Sequence, residues 1–206
     1  MNMILFDFDG VFVDTLEAIR SLAYKFDKVE LSVEEFKSLF DGHIFDNPRR
    51  AELRSFDDPV LKRGFYDGYS DSLPSHQIKS GIEDVVANLS MMHDLHIVTS
   101  GDQESISRYL EQQNLRQHFK EVLGWQVSES KVEKFKILGI NEENAKEHIF
   151  ITDTLGDLEQ ANKIGLPAIG VTWGFHEEER LRRGNPYAIV NTPAELLALI
   201  KEWGTL

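Results

Sequence analysis

A chain of 206 residues suffices for one sizeable core, or for a core domain carrying a smaller appended one. Its 41% hydrophobic and 28% charged residues exclude a disordered chain, and a formal charge of −13, from 22 Lys and Arg against 35 Asp and Glu, disfavours nucleic acid and anionic membranes as partners. The lack of cysteine excludes disulfides, thiolate metal sites and a Cys nucleophile; with no bilayer-length apolar run and no basic leader, a cytoplasmic protein is expected.

The first stretch, residues 3–15, reads MILFDFDGVFVDT. A short Ile, Leu and Phe run closed by Asp and Gly is the pattern of a strand buried on both faces, as in the middle of a parallel sheet. Side chains alternate along a strand, so Asp7 and Asp9 are expected on one side while Phe8 turns into the core. Gly10 beside them lets a backbone or ligand approach closely. Like-charged carboxylates sharing a site push one pKa upward unless a cation balances them. The pair therefore asks for a metal, a lysine or a shared proton; an exposed acidic strand end is the alternative.

Helical spacing follows over residues 14–28, through Leu16, Ile19, Leu22, Ala23 and Phe26, with Asp14 or Thr15 as N-cap. Ser32 with Glu35 three residues on opens a second helix. Residues 40–59 are turn-rich, containing Gly42, Asn47-Pro48 and Asp58-Pro59, and a further helix covers 60–73. No strand-like run occurs between Thr15 and Lys79, which predicts a small all-helical insertion, residues 15–79, in a core made of residues 1–14 and 80–206.

Beyond Ser80-Gly81 helices and strands alternate. Helices are expected at 82–92, 103–113, 131–138, 156–164 and 193–203, and strands at 95–99, 121–123, 148–152, 168–171 and 188–190. This pattern predicts an α/β fold with a doubly wound parallel sheet, whose ligands bind beyond the carboxyl ends of the strands. Among the seven histidines the closest pair, His93 and His96, straddles Asp94 at the turn into a strand and reads as surface rather than zinc-binding.

The strand ends carry the chemistry. Strand 95–99 leads into Thr99-Ser100-Gly101, whose hydroxyls and backbone N–H groups suit a phosphate, or alternatively cap the next helix. Strand 148–152 leads into DTLGD, placing Asp153 and Asp157 on one side of a strand-to-helix turn. Carboxylates of this kind, with water and a substrate phosphate, suit Mg²⁺; helix capping and compensation of the helix dipole are the alternative. Of Lys131, Lys134 and Lys136, Lys131 at its helix start is best placed to reach the acids.

Together, DFDG, TSG and DTLGD at three successive strand ends resemble the haloacid-dehalogenase-like hydrolase superfamily over nearly the whole chain. Asp7, Asp9, Thr99, Lys131, Asp153 and Asp157 match the family pattern in order. The stretch IGLPAIGVTWG, with Trp173-Gly174, is similar to the phosphoglycolate-phosphatase-like branch. Three positions depart from the pattern: Thr152 precedes Asp153 where the family has Gly, Lys131 lacks a following Pro, and Ser100 stands where Asn is common.

The resemblance implies a Rossmann-like core with a helical cap and a Mg²⁺-dependent phosphatase acting on a small phosphorylated metabolite, as a monomer or homodimer. It assigns Asp7 as nucleophile forming an aspartyl-phosphate and Asp9 as proton donor and acceptor. Mg²⁺ would be held by the Asp7 side chain, the Asp9 carbonyl and Asp153, with Asp157 acting directly or through water. The phosphoryl group would meet Thr99, Lys131, and the backbone of Phe8, Asp9, Gly10, Ser100 and Gly101. In the cap, Arg49 and Arg50 with His43 behind them are candidate substrate contacts, or ordinary surface charges. A phosphomutase of the same superfamily and a non-catalytic Mg²⁺-binding interaction module are the rival readings; a dehalogenase is disfavoured by the presence of Asp9.

Overall fold

A computed structural model describes residues 2–44 and 47–203, apart from the side chains of residues 50, 51 and 56. In chain order it runs β1 (Met3–Phe6), α1 (Leu16–Asp27), α2 (Val33–Ser38), α3 (Pro59–Ser72), α4 (Ile82–Leu89), β2 (Asp94–Val98), α5 (Gln103–Gln112), β3 (Phe119–Leu123) and α6 (Lys131–Ile137). It continues through β4 (Ile149–Thr152), α7 (Leu155–Asn162), β5 (Ala168–Val171), α8 (Glu178–Arg182), β6 (Ala188–Val190) and α9 (Pro193–Trp203), with short 3₁₀ turns between.

The six strands form one parallel sheet in the order β3-β2-β1-β4-β5-β6. Its unbroken apolar strands are explained by burial on both faces. Ile4, Phe6, Ile97, Ile149 and Ile151 pack to one side with α4, α5 and α9, while Leu5, Val98 and Phe150 pack to the other with α6, α7 and α8. Successive connections run outward in opposite directions from β1, so a crevice opens beyond the carboxyl ends of β1, β2 and β4. Asp7, Thr99 and Asp153 immediately follow those three strands.

The sheet strand β1 stops at Phe6, earlier than the alternation argument for Asp7 and Asp9 supposes. Asp7 keeps one ladder-like bond, its N–H donating to the Ile151 carbonyl at 2.8 Å, and residues 8–12 then turn. An aromatic cluster holds that turn: Phe12 meets Phe6, Phe8 and Phe119 at centroid separations of 5.6, 5.7 and 5.8 Å. Each such pair contributes about 0.5–1.5 kcal/mol beyond simple burial, so a packing device sets where the two acids stand.

Between β1 and α4 no described residue joins the six-stranded sheet. Helix α2 starts with the expected reciprocal capping of Ser32 and Glu35, and α3 has Pro59 in its first turn behind an Asp58 cap. Ala23, Leu31, Phe36, Leu39 and Leu53 form a small cluster of their own. Where the chain leaves and rejoins the core, Val13 and Ile78 pair antiparallel and the Lys79 N–H donates to the Phe12 carbonyl at 2.7 Å. No helix among the described residues is long and apolar enough to cross a membrane.

His96 corrects the surface expectation: it lies inside β2, between β1 and β3, and is buried, with no partner for Nδ1 among the described residues. Burial holds its pKa, and that of the likewise buried His148, below the ordinary 6.5. As pH falls below 6.5 the unfolded chain takes up these protons first, so this part of the stability is present above 6.5 and lost below it. The denaturant midpoint is expected to drop between pH 7 and pH 5, and the His96→Leu variant to show a shallower drop.

Candidate active site

Four aspartates and one lysine converge on a cavity of about 100 Å³ beyond the strand ends. Asp7 is buried; its Oδ1 accepts from the Phe8 N–H at 2.8 Å, and its Oδ2 lies 2.8 Å from Lys131 Nζ. Lys131 opens α6 behind a Ser130 cap, and its own N–H donates to Gln160 Oε1 at 2.9 Å. Its Nζ also pairs with Asp157 in the first turn of α7, and Asp157 accepts in addition from Thr152 Oγ1 at 2.8 Å.

Asp153 is fully buried. Its Oδ2 accepts from the Phe175 N–H at 2.7 Å, whereas Oδ1 has no partner among the described residues. Its carboxylate is cradled by two glycines: a Cβ at Gly10 would come within 1.8 Å of Oδ2, and one at Gly174 within 2.4 Å. Gly10 also has φ +75°, which other residues seldom adopt. Asp9 accepts from Thr15 Oγ1 at 2.7 Å and from the Tyr69 hydroxyl at 2.9 Å.

The charges do not balance within the protein. Burial, with Asp157 and Asp153 nearby, raises Asp7 well above the usual carboxylate range despite Lys131. Burial pushes Asp153 up to about 7, and burial also raises Asp9 against the pull of Thr15 and Tyr69. For Asp157 burial is overcome by Lys131, which holds it low; for Lys131 burial is overcome in turn by Asp157 and Asp7, which hold it high. An unpartnered buried oxygen on Asp153, hard oxygen donors and uncompensated negative charge fit a hard divalent cation. No group of three or more His, Asp or Glu among the described residues forms a ready-made cage. A cation of the Mg²⁺ type needs only one or two carboxylates, the rest coming from water and phosphate.

Lys134, the other lysine considered, is buried too, but its Nζ donates to the Thr99 carbonyl at 2.5 Å and fixes the end of β2. Burial and the neighbouring Lys131 lower it to about 7. Thr99, Ser100, Gly101 and His43 line the same cavity. Of the expected backbone donors, Phe8 N–H is taken by Asp7, Gly10 N–H by the Val13 carbonyl and Gly101 N–H by Thr99 Oγ1. Arg49 is not brought to the cavity: it pairs with Glu52 at 3.2 Å and Glu35 at 3.5 Å. The side chain of Arg50 lies outside the described residues.

Several residues escaped the sequence reading. Thr15 read as a helix cap, yet its hydroxyl serves Asp9, and Tyr69 reaches Asp9 from α3 with only an aromatic of polar tip in an apolar stripe to announce it. His176 joins core to insertion: Nδ1 accepts from the Leu155 N–H at 3.0 Å, leaving Nε2–H to donate to the Lys37 carbonyl at 3.0 Å. Gly174 was noted with Trp173 in the sequence, but not as a wall against Asp153. Gly174→Ala would thrust a methyl group at Asp153, and a roughly tenfold or greater loss of affinity for a divalent cation is expected; it is measured by metal titration of the two proteins.

The pattern described as haloacid dehalogenase-like hydrolase matches residues 4–171. A phosphoglycolate phosphatase of Synechococcus elongatus is 28% identical over 98% of either chain. A 5'-nucleotidase of Pseudomonas aeruginosa is 25% identical over 89% of this chain and 88% of its own. A crystal structure described as a predicted phosphatase from Clostridium acetobutylicum superimposes with TM-score 0.74 at 27% identity, covering 98% of both chains.

Proposed function

The chain belongs to the haloacid dehalogenase-like hydrolases and is a phosphatase of that family, and on that premise we propose that it hydrolyses a small phosphomonoester through an aspartyl-phosphate on Asp7, with Mg²⁺ as cofactor. One observation carries the reading: in a single buried cavity Lys131 neutralises Asp7 and Asp157 while an oxygen of Asp153 has no partner among the described residues. Residues 15–79 serve as a cap over that cavity, supported by the side chains they contribute to its wall.

Asp7 attacks phosphorus in line; the new P–O bond forms as the ester P–O bond breaks. Asp9, held by Thr15 and Tyr69, gives its proton to the departing alkoxide, then takes one from the water that cleaves the aspartyl-phosphate and frees inorganic phosphate. Lys131 and Thr99 offset the charge on the phosphoryl oxygens. Asp7, the Asp9 carbonyl and Asp153 would hold Mg²⁺, and Asp157, committed to Lys131 and Thr152, would reach it through water. When bound, the cation supplies charge neutralisation at the phosphoryl group and at the acids.

Phosphate release from a panel of metabolite phosphomonoesters tests this reading. Stoichiometric inorganic phosphate is expected with Mg²⁺ and none with excess EDTA. Return of the phosphate to the substrate at another hydroxyl would identify a phosphomutase instead. Metal binding without hydrolysis of any ester would identify a non-catalytic module.

A further inference from the structure

Besides the acids, Lys131, His43, Gln160 and the hydroxyl-bearing residues, the cavity is lined by apolar and aromatic groups: Ile19, Phe40, Ile44, Phe65, Tyr66 and Phe175. Tyr66 is fixed there by stacking on Trp125 at a centroid separation of 5.0 Å and by donating to the Ser100 carbonyl at 3.3 Å. Among the described residues Lys131 is the one lysine or arginine on the wall, and Asp7 and Asp157 already engage it. Arg49 is held elsewhere by Glu35 and Glu52. The side chain of His43 donates from Nε2 to the Glu129 carbonyl at 3.2 Å.

A carboxylate on the departing alcohol would have to leave water for this wall with no uncommitted lysine or arginine among the described residues to receive it. Burying an unpaired charge is among the most unfavourable events a site can impose, whereas an alkyl or aryl group gains by the same transfer. We propose that the alcohol half of the substrate is uncharged and largely apolar, which sets this chain apart from a phosphatase for carboxylated phosphoesters. The inference rests on the phosphatase reading above and adds the substrate class.

The test compares three alkyl phosphates of similar intrinsic reactivity with the intact protein and Mg²⁺: 2-phosphoglycolate, isobutyl phosphate, which branches where the carboxylate stands, and benzyl phosphate. For at least one uncharged ester kcat/KM is expected to exceed that of 2-phosphoglycolate by about 100-fold or more. Ile44→Lys, which adds a cation to the wall, is expected to narrow that gap by raising kcat/KM for 2-phosphoglycolate. Equal or faster hydrolysis of 2-phosphoglycolate overturns the inference and leaves the phosphatase reading standing; loss of that preference in Arg50→Ala would locate the cation responsible. Release of phosphate from none of the three nor from any ester of the metabolite panel overturns the underlying reading, and this inference with it; release only from panel esters whose alcohol half is charged overturns the inference alone.

Discussion

Replacing Asp7 by asparagine is expected to lower turnover by roughly five orders of magnitude, the scale on which loss of a covalent nucleophile is felt. The amide keeps the shape of the carboxylate and can still accept the Phe8 N–H, but it has no anionic oxygen to attack phosphorus. Folding should be spared, because Lys131 retains Asp157 and the site loses one of its crowded negative charges. Steady-state phosphate release together with thermal unfolding reads both halves of the expectation. Appreciable turnover in a folded variant would remove Asp7 from the role of nucleophile.

Lys131→Met should cost both activity and stability. Removing the ammonium leaves Asp7 and Asp157 facing each other in a buried site, and breaking a buried pair in this way costs about 3–5 kcal/mol. Turnover should fall at least about 10³-fold, since the phosphoryl oxygens lose their fixed cation. Adding Asp157→Asn to Lys131→Met removes one of the stranded charges, so the double variant should recover stability while staying inactive. Lys134→Met is the control: its Nζ touches the Thr99 carbonyl and not the acids, so its effect on turnover should be far smaller. Denaturant unfolding and phosphate release in parallel distinguish the two lysines; equal activity losses would undo the assignment.

The parallel sheet was legible because burial on both faces leaves an unmistakable trace: strands such as LHIV and IFIT have no polar residue to spare except where the chain reaches a turn or, at His96, where an imidazole is tolerated uncharged. Asp7 and Asp153 were legible for a related reason, since an acid directly after such a strand must stand at its carboxyl end, and Asp157 followed from the strand-to-helix turn that Asp153 begins. Legibility failed where a partner lies far along the chain. Tyr69 meets Asp9 across 60 residues, and Phe175 meets Asp153 across 22, through contacts that no local period encodes. Arg49 shows the opposite failure: a cation in a turn-rich segment invited an anion, but Glu35 and Glu52 lie close enough to take it. His96 was misread although it stood inside the expected strand 95–99, because it was paired with His93 across Asp94 and an ionisable ring was assigned to the surface.

Val13 and Ile78 lie side by side where the inserted helices leave and rejoin the core, and the Gly156 N–H on the Phe40 carbonyl and His176 on the Lys37 carbonyl hold the insertion to the core again. Uncovering the cavity on the side of the insertion therefore has to break several bonds to the core rather than one. The Tyr69 hydroxyl on Asp9 is one of those bonds, so whatever uncovers the cavity on that side also strips Asp9 of a hydrogen-bond donor.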